Sequence, residues 1–292
     1  MNMFSGTATA IITPFKKDGS VDEDALRKLV DFQEKNGVGT IVPCGSTGES
    51  ATLSPEEHIH VVSIVIDQAK KAKIVAGAGS NSTSEAINFS RSVMDLGADG
   101  ILSISPYYNK PTQEGIYQHY KAISEAVDIP IVVYNVPGRT GSNISAETTL
   151  RLAELNGIAA VKEASGNMEQ IQMILAERPK GFLVLSGDDA LTFPMMALGA
   201  EGTISVASNC IPKEVSTIVD LCRRNKFIEA REIHLRMMPL FKGLFMESNP
   251  IPIKYIMKKL GFTTGALRLP LTEISAENKK RMDTILAELN IR

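Results

Sequence analysis

Short apolar runs alternate with helix-period segments through the first three quarters of the chain. The runs fall at Gly6–Thr13, Val38–Pro43, Lys73–Gly77, Gly100–Ser105, Pro130–Val136, Ile158–Glu163, Phe182–Ser186 and Gly202–Ala207. They are nearly continuous in apolar residues, the pattern of parallel strands covered on both faces. Helix starts lie between them. Ser20-Val-Asp-Glu23, Ser54-Pro-Glu-Glu57 and Ser82-Thr-Ser-Glu85 have the spacing of capping boxes, the second with Pro55 at the first helical position. Leu26, Leu29, Val30 and Gln33 then recur at helical spacing. Gly97-Ala-Asp-Gly100 and Gly199-Ala-Glu-Gly202 each close a helix and lead into a strand. Eight strand–helix units in succession predict an α/β fold, a TIM (β/α)8 barrel. An open doubly wound sheet is the other solution, but it has no reason to stop at that number.

Beyond about Lys226 the strand signal ends. Helical periodicity continues at Phe227–Phe245 (with Pro239 as a kink or break), at Ile253–Leu260 closed by Gly261, and at Ala276–Leu289. The expected organisation is a catalytic barrel over residues 1–225 and a small C-terminal helical domain over 226–292.

Composition narrows the class without naming a chemistry. The 292 residues are 43% hydrophobic and 22% charged, enough for a sizeable core and unlike a disordered chain. Basic and acidic residues number 31 and 33, and the basic ones form no concentrated stripe, so nucleic acid is a poor partner. The longest apolar runs fall far short of the roughly 20 residues that span a bilayer. Lys16 and Lys17 follow the first apolar stretch rather than precede it, which argues against a signal peptide. Cys44, Cys210 and Cys222 are an odd number without CxxC spacing, which points to reduced thiols rather than disulfides or zinc. A soluble, cytoplasmic, enzyme-like protein is the expectation.

A TIM barrel works at the C-terminal ends of its strands. The sixth run carries Lys162 there. Burial would lower its pKa and free the amine that attacks a carbonyl. A buried salt bridge or a side chain snorkelling to the mouth would place a lysine there equally well. Gly45-Ser46-Thr47-Gly48 follows the second run. Its N–H groups and hydroxyls can cradle a carboxylate or phosphate, or form an ordinary tight turn, and it lacks the P-loop pattern. Gly77-Ala-Gly79 begins like a dinucleotide fingerprint but lacks the third glycine, so NAD is discounted. Tyr134 ends the fifth run, with a hydroxyl suited to short proton transfers or simply to a core hydrogen bond. Arg139 follows in a Pro-Gly loop, able to clamp a carboxylate in bidentate fashion or to stand solvated. Asp188 and Asp189 read better as solvated or helix-capping acids than as metal ligands. His58 and His60, two apart on one helix, point in different directions. Together these residues place an amine, a hydroxyl, an anion cradle and a carboxylate clamp on one barrel face. That set suits a metal-free aldolase acting on 2-oxo acids.

Four segments sharpen this: Gly45-Ser-Thr-Gly-Glu-Ser50, Pro106-Tyr-Tyr-Asn109, Tyr134-Asn-Val-Pro-Gly-Arg-Thr140 and Val161-Lys-Glu-Ala164. With them the chain resembles, over nearly its whole length, the dihydrodipicolinate synthase family, one of the pyruvate-dependent class I aldolases. The resemblance implies a lyase that forms a Schiff base between Lys162 and pyruvate. The resulting enamine attacks L-aspartate 4-semialdehyde, on the diaminopimelate route to lysine, with no metal or organic cofactor. It implies a proton relay of Tyr134, Thr47 and Tyr108, the last reaching in from a neighbouring subunit of a homotetramer. Ser46 and Thr47 would hold pyruvate's carboxylate, Arg139 that of the semialdehyde, and Gly187 and Ile204 would lie near the nucleophile.

Ser50, Ala51, His58, Asn81, Glu85 and Tyr107 match the positions at which lysine-inhibited members bind lysine. Pro55 stands where those members often carry His, so weak or absent inhibition is expected. N-acetylneuraminate lyases and 2-oxo-3-deoxy sugar-acid aldolases share the first and last segments, but generally place another residue at Arg139. A catalytically silent oxo-acid-binding barrel would be expected to have lost part of the set.

Overall fold

The computed structural model describes residues 4–291. Its eight strands are β1 (Gly6–Ala10), β2 (Thr40–Val42), β3 (Lys73–Gly77), β4 (Gly100–Ile104), β5 (Ile131–Asn135), β6 (Ile158–Glu163), β7 (Leu183–Ser186) and β8 (Gly202–Ser205). Neighbours in sequence are neighbours in space and β8 pairs with β1, so the expected TIM barrel closes. Two runs, Lys73–Gly77 and Ile158–Glu163, hold residue for residue. The others are shorter than their apolar runs, mostly at the C-terminal end, where the chain leaves the ladder to build the loops of the mouth.

Apolar continuity conceals an alternation of faces, because successive side chains in a strand point to opposite sides. In β6, Ala160 belongs to the cluster inside the barrel, whereas Val161 belongs to the layer between barrel and helices. Lys162 shares the parity of Ala160, and Glu163 that of Val161. Pairing of β5 with β6 sets Tyr134 beside Lys162 and Asn135 beside Glu163. The register therefore brings the tyrosine and the lysine together.

The helix layer follows from amphipathic spacing. Helix Glu23–Lys35 buries Leu26, Leu29, Val30 and Gln33, and the Gln33 amide accepts a 2.7 Å hydrogen bond from the Thr9 hydroxyl. Its cap differs from the expected Ser20. Asp22 accepts from the Ala25 N–H, while the Ser20 hydroxyl is taken by Asp18 at 2.7 Å. Ser54 does form the full reciprocal box with Glu57, with Pro55 at the first helical position. Ser82 caps its helix, but the Glu85 carboxylate turns to the Ser80 hydroxyl instead of closing the box.

Three C-terminal helices follow, Phe227–Gly243, Ile251–Lys259 and Ala276–Glu288. The first runs through Pro239 without a break. The carbonyl that Pro239 leaves unbonded belongs to Leu235, whose residue is exposed, so water can satisfy it. Met237, Leu240, Ile253, Ile256 and Met282 join the apolar layer around the barrel. Arg268 ties the tail to the barrel through two 2.6 Å hydrogen bonds to Glu57 and others to the Gly19 and Thr52 carbonyls. No helix among the described residues is long and apolar enough to cross a membrane.

Candidate active site

Lys162 is almost wholly buried, and its Nζ lies 4.2 Å from the centre of the Tyr134 ring. Burial lowers its pKa to about 7. The Asp189 carboxylate opposes that shift, and the Arg139 guanidinium adds to it. No ion pair holds the ammonium among the described residues, so a fraction of the amine is free near neutral pH. Gly187, just past β7, leaves the lysine its path. A Cβ there would stand 3.0 Å from Lys162 Cε and 2.8 Å from Ala164 Cβ. Ile204, on β8, lies in the interior apolar cluster that also holds Tyr134. Burial pushes the Tyr134 hydroxyl up to about 12, an effect moderated by Arg139 and by a hydrogen bond with Ser46. The phenol thus stays protonated, able to give a proton and take it back.

The loop after β2 is both a tight turn and a cradle. The N–H groups of Gly48, Glu49 and Ser50 bond back to the carbonyls of Gly45 and Ser46. Those of Ser46 and Thr47 form no hydrogen bond within the described chain, which leaves two donors for an anion beside two hydroxyls already engaged by Tyr134 and Asn249. Cys44 and Glu49 flank the turn at φ of +55°, a left-handed conformation that costs non-glycine residues and must be held by its surroundings. Glu49 is held by a buried ion pair with Lys254. The Thr13 hydroxyl donates to the Gly48 carbonyl at 2.7 Å.

Arg139 sits on the short helix Pro137–Thr140 at the mouth, and its Nη2 donates to the Asn249 carbonyl at 2.9 Å. A cavity of about 560 Å3 opens there. Ser46, Tyr134 and Arg139 line it together with Ala51, His58 and Tyr107. Ser50, Pro55 and Glu85 are on its wall as well. Asn81 stands beside them, its side chain bonded to the Tyr107 carbonyl at 3.1 Å. His58 is buried with its Nε2 2.6 Å from the Gly77 carbonyl, whereas His60 faces Glu23 outside, so the two point apart. Gly77 and Gly79 owe their presence to packing. A Cβ on either would enter the backbone of Cys44 or Ile104.

Tyr108 is 89% exposed at φ of +71°, its N–H donating to the Thr140 carbonyl. Asp189 departs from the expected solvated or capping acid: it is buried, and accepts from the Ser205 hydroxyl and from the Val206 and Ala207 N–H groups at 3.0 and 2.8 Å. Asp188 does cap, accepting from the Ala190 N–H at 2.9 Å. Two further residues were not singled out from the sequence, one at a strand end and one far from any. Glu163 lies behind Lys162, buried, with Asn135 and Gln170 donating to its carboxylate. Asn249 comes from the C-terminal segment, and its Nδ2 donates to the Thr47 hydroxyl at 2.9 Å. No local signal marks Asn249, since its partner is 202 residues away.

Residues 3–289 match the Dihydrodipicolinate synthetase family. The 4-hydroxy-tetrahydrodipicolinate synthase of Chloroherpeton thalassium is 52% identical over 289 residues, which cover 98% of this chain and 96% of the relative. The crystal structure of dihydrodipicolinate synthase from Aquifex aeolicus superposes with a TM-score of 0.96 at 46% identity, covering 99% of each chain. The chloride-inhibited enzyme of Acinetobacter baumannii, complexed with pyruvate, gives 0.97 at 42% identity, again over 99% of each chain.

Proposed function

The chain belongs to the dihydrodipicolinate synthetase family, and from that premise we propose how its own residues carry out the 4-hydroxy-tetrahydrodipicolinate synthase reaction. The observation that carries the reading is Lys162: buried, without an ion pair among the described residues, its amine partly free, and beside a protonated tyrosine. The amine adds to the C2 carbonyl of pyruvate, and loss of water gives an imine. Loss of a methyl proton makes the enamine, with the protonated imine nitrogen as electron sink. The enamine carbon attacks the aldehyde of L-aspartate 4-semialdehyde, whose oxygen takes up a proton. The substrate's amino group then closes on C2 by transimination and expels the Lys162 amine. One water leaves in the whole sequence.

The Ser46–Thr47 turn receives pyruvate's carboxylate on its two free N–H groups and its hydroxyls, and Arg139 receives the carboxylate of the semialdehyde. Tyr134, Thr47 and Tyr108 relay the protons. An exposed tyrosine can join that relay only across a subunit contact, so the working form is an oligomer, which we take to be a homotetramer of tight dimers acting in the cytoplasm. The catalytic unit is the barrel over 1–225 and the helical unit spans 226–292. Ser50, Ala51, His58, Glu85 and Tyr107 on the cavity wall, with Asn81 beside Tyr107, form a regulatory compartment. Pro55 on its wall supplies no polar side chain, so L-lysine inhibits weakly or not at all. A sub-millimolar inhibition constant would overturn that point.

The test of the reaction is trapping. Borohydride added with pyruvate should place one stable reduced adduct on the peptide containing Lys162. An adduct elsewhere, or none, would remove the mechanism.

A further inference from the structure

A hydroxyl has one proton to give and two lone pairs with which to accept. At Thr47 one lone pair is already taken. Asn249 Nδ2 donates to Oγ1 at 2.9 Å in a buried setting, and Thr47 donates to no other group among the described residues. The Thr47 proton is therefore not taken by Asn249 and stays available to another acceptor. Were the amide rotated, its oxygen would accept that proton and withdraw it from any relay. The other end of the amide is buried too, with no hydrogen-bond partner for Oδ1 among the described residues. A buried amide oxygen without a partner costs free energy, so packing alone does not account for an asparagine here. The backbone of the same residue accepts from Arg139 at 2.9 Å, which ties the segment to the helix Pro137–Thr140 on the cavity wall. Five residues on, Lys254 makes the buried ion pair with Glu49, at the end of the loop that carries Thr47.

We infer that Asn249 is a positioning residue of the reaction, fixing the direction in which the Thr47 hydroxyl passes its proton. The inference rests on the proposed relay and adds to it a member from the C-terminal helical segment.

A double-mutant cycle on the full-length chain tests it, with turnover read in a coupled assay. Asn249→Asp keeps the shape but replaces the donor by an acceptor, so the Thr47 proton is captured. Asn249→Ala deletes the donor and captures nothing. The kcat should fall in the order wild type, Ala, Asp, with Asp slower than wild type by about tenfold to a hundredfold. The KM for the semialdehyde should stay within about twofold, because the Arg139 contact is made by the backbone. In a Thr47→Val background, either Asn249 substitution should cost less than about twofold more. An Asp variant as fast as wild type would overturn the inference, since the amide would then stand the other way round. Equal losses with and without the Thr47 hydroxyl would overturn it as well. If Asn249→Asp does not fold, as judged by its thermal transition, the Ala cycle decides alone. A wild-type chain without synthase turnover would bring down the proposed reaction and this inference together. A turning-over chain with additive losses would bring down this inference only.

Discussion

Two lysines are buried in this molecule, and they differ in what surrounds the ammonium. Lys254 pairs with the buried Glu49, donates to the Ala266 carbonyl at 3.0 Å and lies 4.0 Å from the centre of the Phe15 ring. Lys162 has the Tyr134 ring at 4.2 Å and no paired carboxylate among the described residues. Burial lowers both, Lys254 to about 8 against the pull of Glu49, and Lys162 to about 7. Burial alone therefore does not separate a structural lysine from a chemical one. The partner does: a paired ammonium holds two segments together, while an unpaired one keeps its lone pair available.

The strongest way to break that contrast is Lys162→Met. Activity should fall by about 10⁴-fold or more, since the covalent step is gone, and borohydride should trap no pyruvate. Stability should behave in the opposite sense. Between about pH 7 and the ordinary lysine value of 10.5 the unfolded chain binds more protons at this position than the folded one. Burying the charge costs most below pH 7, and the cost is relieved as pH rises toward 10.5. The methionine variant should thus melt at least as high as the parent at pH 6, with the advantage shrinking at pH 10. A lower melting temperature at pH 6 would mean that Lys162 is a structural residue. Lys254→Met should do the reverse, leaving Glu49 buried without its partner at a cost of about 3–5 kcal/mol. Denaturant unfolding of the two variants side by side reads the difference.

Much of this was legible along the chain, and the illegible part has a physical pattern. The barrel followed from eight apolar runs and their caps, because parallel strands buried on both faces have few other sequence solutions. Lys162, Tyr134 and the Gly45–Gly48 turn were legible because each departs from its local pattern: a charge or hydroxyl ending an apolar strand, or small polar residues in a row. Asp189 was misjudged since its partners, Ser205 and the next two N–H groups, belong to the neighbouring strand end. Glu49–Lys254 and Asn249–Thr47 lay beyond any local pattern, as both join the loop after β2 to the C-terminal segment. Ser20 lost its cap to Asp22 for a smaller reason, because Asp18 had already engaged its hydroxyl.

Arg139→Ala gives a middle-sized effect and separates the two substrates. The guanidinium shares the cavity with Ser46 but is no part of the turn that receives pyruvate's carboxylate, so the KM for the semialdehyde should rise about tenfold to a hundredfold with little change for pyruvate. Equal changes for both would remove the clamp role.

The smallest effect isolates the charges around Lys162. Burial pushes the Asp189 carboxyl up to about 6, so it is largely ionised at neutral pH, and its negative charge favours the protonated lysine. Asp189→Asn keeps the shape and an oxygen for both backbone N–H donors, which share Oδ2, and turns its amide nitrogen to the Ser205 hydroxyl, but discards the charge. The Lys162 pKa should then fall further, and more of the amine should be free at lower pH. In kcat/KM for pyruvate, which reports the free enzyme, the acid limb should move from near pH 7 to lower pH by about half a unit to one unit. Arg139→Ala should move the same limb upward, and by less, since its influence on Lys162 is weaker than that of Asp189. Opposite movements would show that the contrast with Lys254 is one of charge as well as burial. A limb unmoved by either change would leave burial as the only cause of the free amine.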